Sequence, residues 1–404
     1  MKVTLMIKNE LLLKIYEAAS MQRWNDQIRA IDITELDKQA HKMIAAYVLC
    51  KCHEKETGQA ADWIKIIEYG LFEYLQRIIL TDLKPPLFYE IKKDRKKYRQ
   101  LNQWVYKRVF PFIECMGEKF CRDFQTYIVE TGPEKQKTAG QEKDYQSKDI
   151  WRQIIGAAHF YITKWEFELI STFNPHGYQR EEIKSGIEEQ QKQFHKLAAM
   201  QRLLSSPGLI SFISICGQLR FQVRWSHIYR VPRTSVLGHM LVVAMFSYIF
   251  SYTAGEKNRD KLFNNYFTGL FHDLPEVLTR DIINPVKRSV EGLDSLIKEY
   301  EKKEMKKRIY NLLPEQLHSD FHLFTENEFE NTSSRDGKLV KASDDLAAYI
   351  EAYLCRKNGI SNESLNEAME NLILKYSSPE YRVVSGTDFG EIYRSFILFK
   401  NREH

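Results

Sequence analysis

Apolar residues recur three and four positions apart along most of the chain, whereas stretches that alternate apolar and polar residues are nearly absent. Leu71, Leu75 and Ile78 are one example of this spacing. It places apolar side chains along one side of an α-helix, where they can pack against other helices. The pattern therefore predicts an all-α fold.

Two interruptions of this helical pattern divide the chain. Residues 130–149 are almost entirely polar and include a Gly-Pro pair, which predicts a long exposed loop within a domain. At Ser205–Gly208 a run rich in Gln and Lys ends and a new apolar segment begins. A chain of 404 residues is long enough for two domains. We therefore expect one domain at 1–205 and another at 206–404.

The two halves resemble each other, which predicts a tandem repeat. The segment GLFEYLQRIILTDLKPP, beginning at Gly70, matches GLFHDLPEVLTRDIINP, beginning at Gly269, at 6 of 17 positions without gaps. His41 and His239 each stand about 30 residues before these glycines. The other matched landmarks are Arg23-Trp24 with Arg224-Trp225, and His159 with Asp344.

Composition and charge exclude several classes of protein. With 43% hydrophobic and 13% aromatic residues, the chain has ample material for packed cores. The chain has 59 Lys and Arg against 54 Asp and Glu, which gives a net charge of only +5. Such a small excess does not indicate a protein that binds polyanions over its whole surface. The basic runs at 92–99 and 298–308 also contain acidic residues, as solvated helix faces do, and do not indicate nucleic-acid binding.

The cysteines and the apolar segments favour a cytoplasmic, soluble protein. The 6 cysteines lack the spacing of a disulfide framework or a structural zinc site, which predicts reduced, mostly buried thiols. Charged residues interrupt the N-terminal segment, so it does not resemble a secretory signal. The longest apolar run, near Met240–Phe250, is shorter than the roughly 20 residues that cross a bilayer. We expect no membrane partner.

Ionisable side chains interrupt apolar helices of the second half at several places. His272 and Asp273 are adjacent inside one predicted helix, and Glu276 would follow one turn later on the same face. His239 interrupts a second apolar helix and Asp344 a third. Buried ionisable groups need a partner, and two histidines with two carboxylates in a helical bundle suit a divalent cation. The pattern predicts a metal site.

The strings RWSHIYRVPRTSVLGH, FHDLPEVLTRDIINPVK and LVKASDDLAAYIEA carry a family resemblance. The order of histidine, His-Asp pair and aspartate resembles that of the HD-domain metal-dependent phosphohydrolases, and the strings resemble their bacterial 5'-deoxynucleotidase branch. The similarity covers about residues 209–390 and is strongest at 224–287. It implies an all-helical HD-type fold and hydrolysis of nucleoside 5'-monophosphates. The implied ligands of a single divalent metal are His239, His272, Asp273 and Asp344.

The resemblance and general chemistry together suggest roles for the catalytic residues. A bound metal lowers the pKa of a water molecule and positions it for attack on phosphorus. Glu276 would exchange a proton with this water or with the leaving ribose oxygen. Arg224 would hold the phosphate oxygens and stabilise the charge of the transition state. The expected catalytic residues are therefore Glu276, Asp273 and Arg224.

Further residues of the matched strings are expected to bind substrate. Arg224 would hold the phosphate, and Trp225 offers a flat wall for the sugar or base. The resemblance implies that the position of Trp225 helps to distinguish deoxyribose from ribose and that Asp281 lies near the sugar. Lys287 could add positive charge near the phosphate. The sequence departs from the family pattern at Gly238, Pro275 and Arg280.

The first half has lost most of these residues. Its equivalents of His272, Asp273, Glu276 and Asp344 are Glu73, Tyr74, Arg77 and His159. An arginine at the acid/base position repels a cation, so we expect a degenerate HD-like scaffold domain. A cryptic metal site of His41, Glu73 and His159 is an alternative.

We therefore expect two tandem HD-type helical bundles, the first degenerate. The expected partner is a nucleotide substrate, and the cofactor is one divalent ion: Mn, Co, Fe or Zn. The expected assembly is a monomer with pseudo-dimeric halves or a homodimer. Two alternatives to the monophosphate reaction stay open. One is another HD hydrolase, acting on nucleoside triphosphates or cyclic dinucleotides, and the other is a non-catalytic nucleotide-sensing or interaction protein.

Overall fold

Helices dominate the computed structural model, which describes residues 7–81, 83–130, 149–282, 286 and 289–399. Within these residues the only strands are the antiparallel pair β1 (Val383–Val384) and β2 (Thr387–Asp388). The prediction of an all-α fold is therefore confirmed. Most of the predicted polar loop, and Lys287, lie outside the described residues.

The chain forms two compact units. The N-terminal unit is Met21–Ser205, and the C-terminal unit combines Ser206–His404 with the segment Met1–Ser20. The expected division at 1–205 and 206–404 therefore differs from the structure at the start of the chain. The first twenty residues do not belong to the unit that follows them in sequence.

Helix α1 (Asn9–Tyr16) shows why the first residues join the C-terminal unit. Its apolar side chains Leu12 and Ile15 are fully buried. The hydroxyl of Tyr16 donates to the carbonyl oxygen of Ala347 at 2.8 Å. Burial of this apolar face against C-terminal helices outweighs sequence proximity, because apolar contact does not depend on chain order.

The N-terminal unit is built on one long helix, α2, which packs against α7 and α9. The side chain of Thr34 accepts a hydrogen bond from the backbone N–H of Asp37 and so begins this helix. Helix α3 packs against α5 and α7. The helices of this unit are α2 (Glu35–Thr57), α3 (Trp63–Leu80), α4 (Pro85–Lys93), α5 (Arg95–Ile113), α6 (Glu118–Gln125), α7 (Ile150–Phe173), α8 (Arg180–Lys192) and α9 (Ala198–Leu204).

The C-terminal unit has a matching central helix, α11, packed against α12 and α16. Gly269 allows α11 and α12 to approach closely, because a Cβ at this position would lie 2.7 Å from the backbone of Ala244. The helices here are α10 (Pro207–Gln218), α11 (Val236–Thr253), α12 (Arg259–Phe271), α13 (Glu276–Thr279), α14 (Leu293–Glu304), α15 (His318–Thr325), α16 (Gly337–Lys357), α17 (Glu363–Ser377), α18 (Pro379–Arg382) and α19 (Phe389–Phe399).

Helix α11 is a core helix. By length and composition its 18 residues could cross a membrane, although the sequence predicted an apolar run too short to do so. However, 89% of the helix is buried inside the protein. The 6 cysteines are all buried and free of disulfide bonds, as predicted.

Candidate active site

The first predicted metal ligand lies one turn into α11. The hydroxyl of Ser235 accepts a hydrogen bond from the N–H of Gly238 at 2.9 Å, which satisfies a free backbone donor and begins the helix. His239 follows directly and is fully buried. Its Nε2 lies 2.9 Å from Oδ1 of Asp344 on α16. The structure therefore brings these two predicted ligands together.

A turn, rather than a continuous helix, presents the next two residues. Helix α12 ends at Phe271, and the N–H groups of Leu274 and Glu276 then bond to carbonyls three residues back, as from Glu276 to Asp273 at 3.0 Å. Pro275 lacks an N–H and directly precedes the short helix α13. The single helix predicted to hold His272, Asp273 and Glu276 is therefore interrupted between His272 and Glu276. The turn instead directs His272 and Asp273 into the same space.

The predicted ligand atoms form a compact group. Those of His239, His272 and Asp273 lie within 4.8 Å of one another, and Asp344 Oδ1 is 3.9 Å from His272 Nε2. The Nδ1 of His272 is 2.9 Å from the carbonyl oxygen of Gly269, which assigns the ring proton to Nδ1. The buried Nε2 lies 3.2 Å from Oδ2 of Asp273. Once deprotonated, it would present a lone pair to the group, as in a metal ligand, and a divalent ion fits this donor set.

The charges of this group also favour a cation. Burial lowers the pKa of His272, but Asp273 and Asp344 outweigh it and raise this pKa to about 9. Burial opposes ionisation of both carboxyl groups, yet His272 holds the pKa of Asp273 below its ordinary value. The Lys341 ammonium has the same effect on the pKa of Asp344. Both carboxylates therefore stay ionised and attract positive charge.

The predicted phosphate-binding arginine lies beside the group. Arg224 Nη1 is 3.6 Å from Asp273 Oδ2, and its Nε is 3.3 Å from Glu351 Oε2. The backbone N–H of Arg224 donates to the carbonyl of Thr234 at 3.0 Å, which ties this loop to the start of α11. The next residue, Trp225, adopts a positive φ of 56° and donates from Nε1 to Glu351 Oε2 at 3.0 Å.

The remaining predicted residues are distributed around this group. Glu276 is buried, and its backbone carbonyl accepts a hydrogen bond from Gln222 Nε2 at 3.1 Å. Asp281 is half-buried. Burial lowers the pKa of Arg224, but nearby carboxylates, led by Glu351 and then Asp281, raise it above its ordinary value. Asp281 is therefore near enough to Arg224 for its charge to favour the guanidinium.

Arg280 departs from the family pattern at a residue whose backbone favours glycine. It ends α13 with a φ of 67°, which side chains with a Cβ rarely adopt. Thr81, which ends α3 of the N-terminal unit, also has a positive φ, of 50°. The turn is therefore sharp, as expected, although neither residue is glycine.

Two residues of the site were missed by the sequence reasoning, and both lie on α16. Lys341 Nζ is 2.8 Å from Asp344 Oδ2 and 3.0 Å from Asp345 Oδ1. Glu351 is buried two turns after Asp344 and receives the hydrogen bond from Trp225. Helical spacing could have found both residues, because positions three before and seven after a ligand share its face.

In the N-terminal unit, lysines contact two of the residues that replace the predicted ligands. Lys38 Nζ lies 2.6 Å and 3.2 Å from the ring nitrogens of His159, and Lys42 Nζ lies 3.0 Å from Glu73 Oε2. Both lysines are fully buried. Lys42 neutralises the Glu73 carboxylate, and Lys38 occupies the ring nitrogens of His159, so neither residue is available to a divalent cation. The alternative metal site that includes His41 is therefore not formed.

One pairing of the predicted repeat is displaced. Counted from the residues that begin α2 and α11, Lys38 takes the place of His239, and His41 does not. The buried His41 ring packs edge-on against Trp165, with ring centroids 5.0 Å apart. The alignment on Gly70 and Gly269 caused this error, because Gly70 lies 35 residues after the first residue of α2, whereas Gly269 lies 33 residues after the first residue of α11.

Comparisons with known proteins agree with this geometry. The family described as "HD domain" matches residues 216–376. A 5'-deoxynucleotidase of Pasteurella multocida is 25% identical over 177 residues, covering 42% of this chain and 88% of the relative. A 5'-deoxynucleotidase of Shewanella oneidensis is 28% identical over 160 residues, covering 39% of this chain and 78% of the relative. One of Pectobacterium atrosepticum is 27% identical over 171 residues, covering 41% of this chain and 84% of the relative.

The matched region includes the whole group of candidate metal ligands and most of the Arg224 loop and α16. HD domains typically bind divalent metals, and the donor set on α11, α12 and α16 suits such an ion. Residues 216–376 therefore match the HD domain, and this part of the chain is similar to 5'-deoxynucleotidases, which supports a nucleotide-related phosphohydrolase.

Proposed function

We propose that the C-terminal unit hydrolyses nucleoside 5'-monophosphates, with preference for deoxynucleotides. The distance of 3.6 Å between Arg224 Nη1 and Asp273 Oδ2 carries this proposal. A phosphate monoester bound there would contact the guanidinium and an ion held by Asp273 at the same time. The relatives named 5'-deoxynucleotidase support the choice of substrate.

His239, His272, Asp273 and Asp344 would hold one divalent ion. When bound, such an ion lowers the pKa of a water molecule and draws charge from the phosphoryl oxygens. Mn, Co, Fe and Zn all accept this mixture of imidazole and carboxylate ligands. The hydrogen bond from His272 Nδ1 to Gly269 orients that ring before any ion arrives.

The other side chains supply proton transfer and charge stabilisation. Glu276 would accept a proton from the attacking water and return it to the ribose O5'. The new bond joins the water oxygen to phosphorus, and the bond from phosphorus to O5' breaks. The products are the nucleoside and inorganic phosphate. Arg224 would stabilise the negative charge on the phosphoryl oxygens during this exchange.

The sugar would lie between Trp225 and Asp281. The bond from Trp225 Nε1 to the buried Glu351 fixes the indole, so its face is a rigid wall against which a ribose 2'-hydroxyl could clash. Asp281 is half-buried on the same side and could accept a hydrogen bond from the sugar. Lys287 stays a predicted phosphate contact.

A nucleotide panel tests the proposed reaction. The full chain is incubated with deoxynucleoside and ribonucleoside monophosphates, a nucleoside triphosphate and a cyclic dinucleotide, each with Mn²⁺, Co²⁺, Zn²⁺ or Mg²⁺. We expect free phosphate from deoxynucleoside monophosphates. Pyrophosphate or tripolyphosphate from the triphosphate, or an opened cyclic dinucleotide, would instead identify another HD hydrolase. No product from any member of the panel would favour a sensing protein.

The Asp273→Ala variant tests the site assignment. Because Asp273 supplies a ligand atom and contacts Arg224, its loss should abolish metal binding and lower kcat/KM by about 10³-fold or more. Isothermal titration with Mn²⁺ and phosphate release give the two readouts. Asp260→Ala, at an exposed residue in the first turn of α12, is the matched control and should retain both. Full activity of Asp273→Ala would reject the assignment.

A further inference from the structure

Glu351 is a buried carboxylate at the back of the candidate site. It lies seven residues after Asp344 on α16, so the two side chains share a face, two turns apart. Its side chain has no exposed surface. An ionised group in such a position needs several compensating partners.

The two oxygens of Glu351 face different parts of the site. Oε1 accepts a hydrogen bond from the Thr234 hydroxyl at 2.9 Å and lies 3.4 Å from Nδ1 of His239. Oε2 accepts from Trp225 Nε1 at 3.0 Å and lies 3.3 Å from Arg224 Nε. One carboxylate therefore contacts a metal ligand with one oxygen and the substrate-binding loop with the other.

These contacts suit a positioning role. A carboxylate beside His239 Nδ1 favours the proton on that nitrogen, which leaves the Nε2 lone pair facing Asp344 and the other ligands. The same carboxylate occupies the Nε edge of Arg224, so that the Nη groups remain directed toward Asp273. Displacement of Glu351 would disturb both halves of the site together.

The geometry points to Glu351 as a positioning residue that orients the metal ligand His239 and the substrate-binding residues Arg224 and Trp225 at once. This inference rests on the proposed function for its kinetic part, whereas its prediction for metal binding does not depend on the substrate.

The N-terminal unit contains the same arrangement without the metal ligands. Glu166 Oε2 accepts from Trp24 Nε1 at 3.0 Å and from Arg23 Nε at 3.0 Å. Glu166 is also fully buried. The position equivalent to His239, however, is Lys38. Glu166 therefore has the loop-holding contacts of Glu351 but no metal ligand and no candidate active site.

This internal counterpart gives a matched control. We compare Glu351→Gln and Glu166→Gln in the full chain by thermal unfolding, by Mn²⁺ titration and by kcat and KM for a deoxynucleoside monophosphate. Each substitution removes one buried charge from an Arg-Trp loop, so both should lower the Tm. Only Glu351→Gln should raise the Mn²⁺ Kd, by about 10-fold to 100-fold, and lower kcat/KM to a similar degree. Glu351→Asp keeps the charge and should recover part of the Mn²⁺ affinity and part of kcat/KM.

Three outcomes would overturn the inference. The first is a Glu351→Gln protein that is folded at the assay temperature with the Kd, kcat and KM of the original chain. The second is an equal loss of activity in Glu166→Gln, which would show only a general effect on stability. The third applies if Glu351→Gln does not fold. In that case Glu351→Asp replaces it, and a Glu351→Asp protein with the Mn²⁺ Kd of the original chain would overturn the inference.

Failure of the proposed function can be distinguished from these outcomes. If the original chain releases no phosphate from deoxynucleoside monophosphates, the proposed function fails. The Mn²⁺ Kd of the Glu351 variants still decides whether this carboxylate positions His239.

Discussion

At the scale of single residues, the candidate site depends on groups that contact two partners. Arg224 is the clearest case, because one edge of its guanidinium faces Glu351 and the other faces Asp273. A lysine offers a point charge and no second edge. It could contact the buried carboxylate or a phosphate, but not hold both in a fixed geometry.

A lysine at position 224 should therefore show how much the planar shape of the Arg224 guanidinium contributes beyond its positive charge. We expect Arg224→Lys to lower kcat/KM for a deoxynucleoside monophosphate by about 100-fold, because a planar donor in the transition state is lost. Steady-state kinetics give the value. Arg233→Lys, in the same loop but at an exposed residue, should behave as the original chain. Equal kinetics in both variants would exclude Arg224 from phosphate binding.

At the scale of helices, the N-terminal unit has an ion-pair network where the C-terminal unit has candidate metal ligands. Glu35, the first residue of α2, accepts from Arg23 Nη1 at 2.9 Å and from Gln39 Nε2 at 2.6 Å, and lies 3.3 Å from Arg77 Nε. Burial raises the pKa of Glu35, but Arg23 and Arg77 outweigh it and lower this pKa to about 2. Arginine charges therefore hold the ends of α2, α3 and the Arg23 loop together.

The network predicts a specific response to acid. Because the folded pKa of Glu35 lies below its unfolded value near 4.5, its ionisation stabilises the fold fully above about pH 5. That stabilisation of about 3 kcal/mol is lost as the pH falls toward 2. Glu35→Gln should therefore lower the free energy of unfolding at pH 7 and converge with the original chain near pH 2.

Urea unfolding followed by circular dichroism at several pH values measures this difference. Glu90→Gln is the control, because Glu90 is exposed on α4 and pairs only with Lys93 in the described part of the chain. A Glu35→Gln difference that stays constant from pH 7 to pH 2 would contradict the role of ionisation.

Sequence patterns predicted the helices and the close grouping of His239, His272 and Asp273, because both follow from local rules. The cap at Ser235 and the apolar face of α11 depend on residues that are close in sequence. The His272-Asp273 pair is visible in the sequence because ionisable residues are unusual in an apolar segment. The break after Phe271 was missed because a single proline competes with a strongly apolar helix, and helix propensity is decided by tertiary context.

Glu351 and Lys38 were missed for a different reason. Each looks like an ordinary charged residue of an amphipathic helix, and only the three-dimensional structure shows that its charge is buried. Glu351 has partners more than 110 residues away in the chain, as with Trp225. No local pattern records such contacts.

At the scale of the whole molecule, the two units differ in how they balance buried charge. The C-terminal unit gathers carboxylates and imidazoles, whereas the N-terminal unit places the side chains of Lys38 and Lys42 against His159 and Glu73. We propose that the N-terminal unit is a degenerate, non-catalytic counterpart of the HD domain. The similar Arg-Trp loops, both with a positive φ at the tryptophan, support this proposal.

The chain should therefore bind one catalytic ion. After equilibration with Mn²⁺ and removal of free metal, elemental analysis is expected to give about one ion per chain, and Asp273→Ala close to none. His159→Ala, in the N-terminal unit, should leave the ratio unchanged. Two ions per chain, with one lost in His159→Ala, would show that both units bind metal.

Helix α1 makes the C-terminal unit discontinuous along the chain. Its Tyr16 lies against Phe246 and bonds to Ala347, yet the whole of Met21–Ser205 separates it from these partners in sequence. During synthesis, this helix leaves the ribosome before the rest of its unit, and it can bury its apolar face only after Ser206 and the following helices have emerged. A gene fragment that begins at Ser206 would therefore encode an HD domain whose core lacks the buried side chains of α1, such as Leu12 and Ile15.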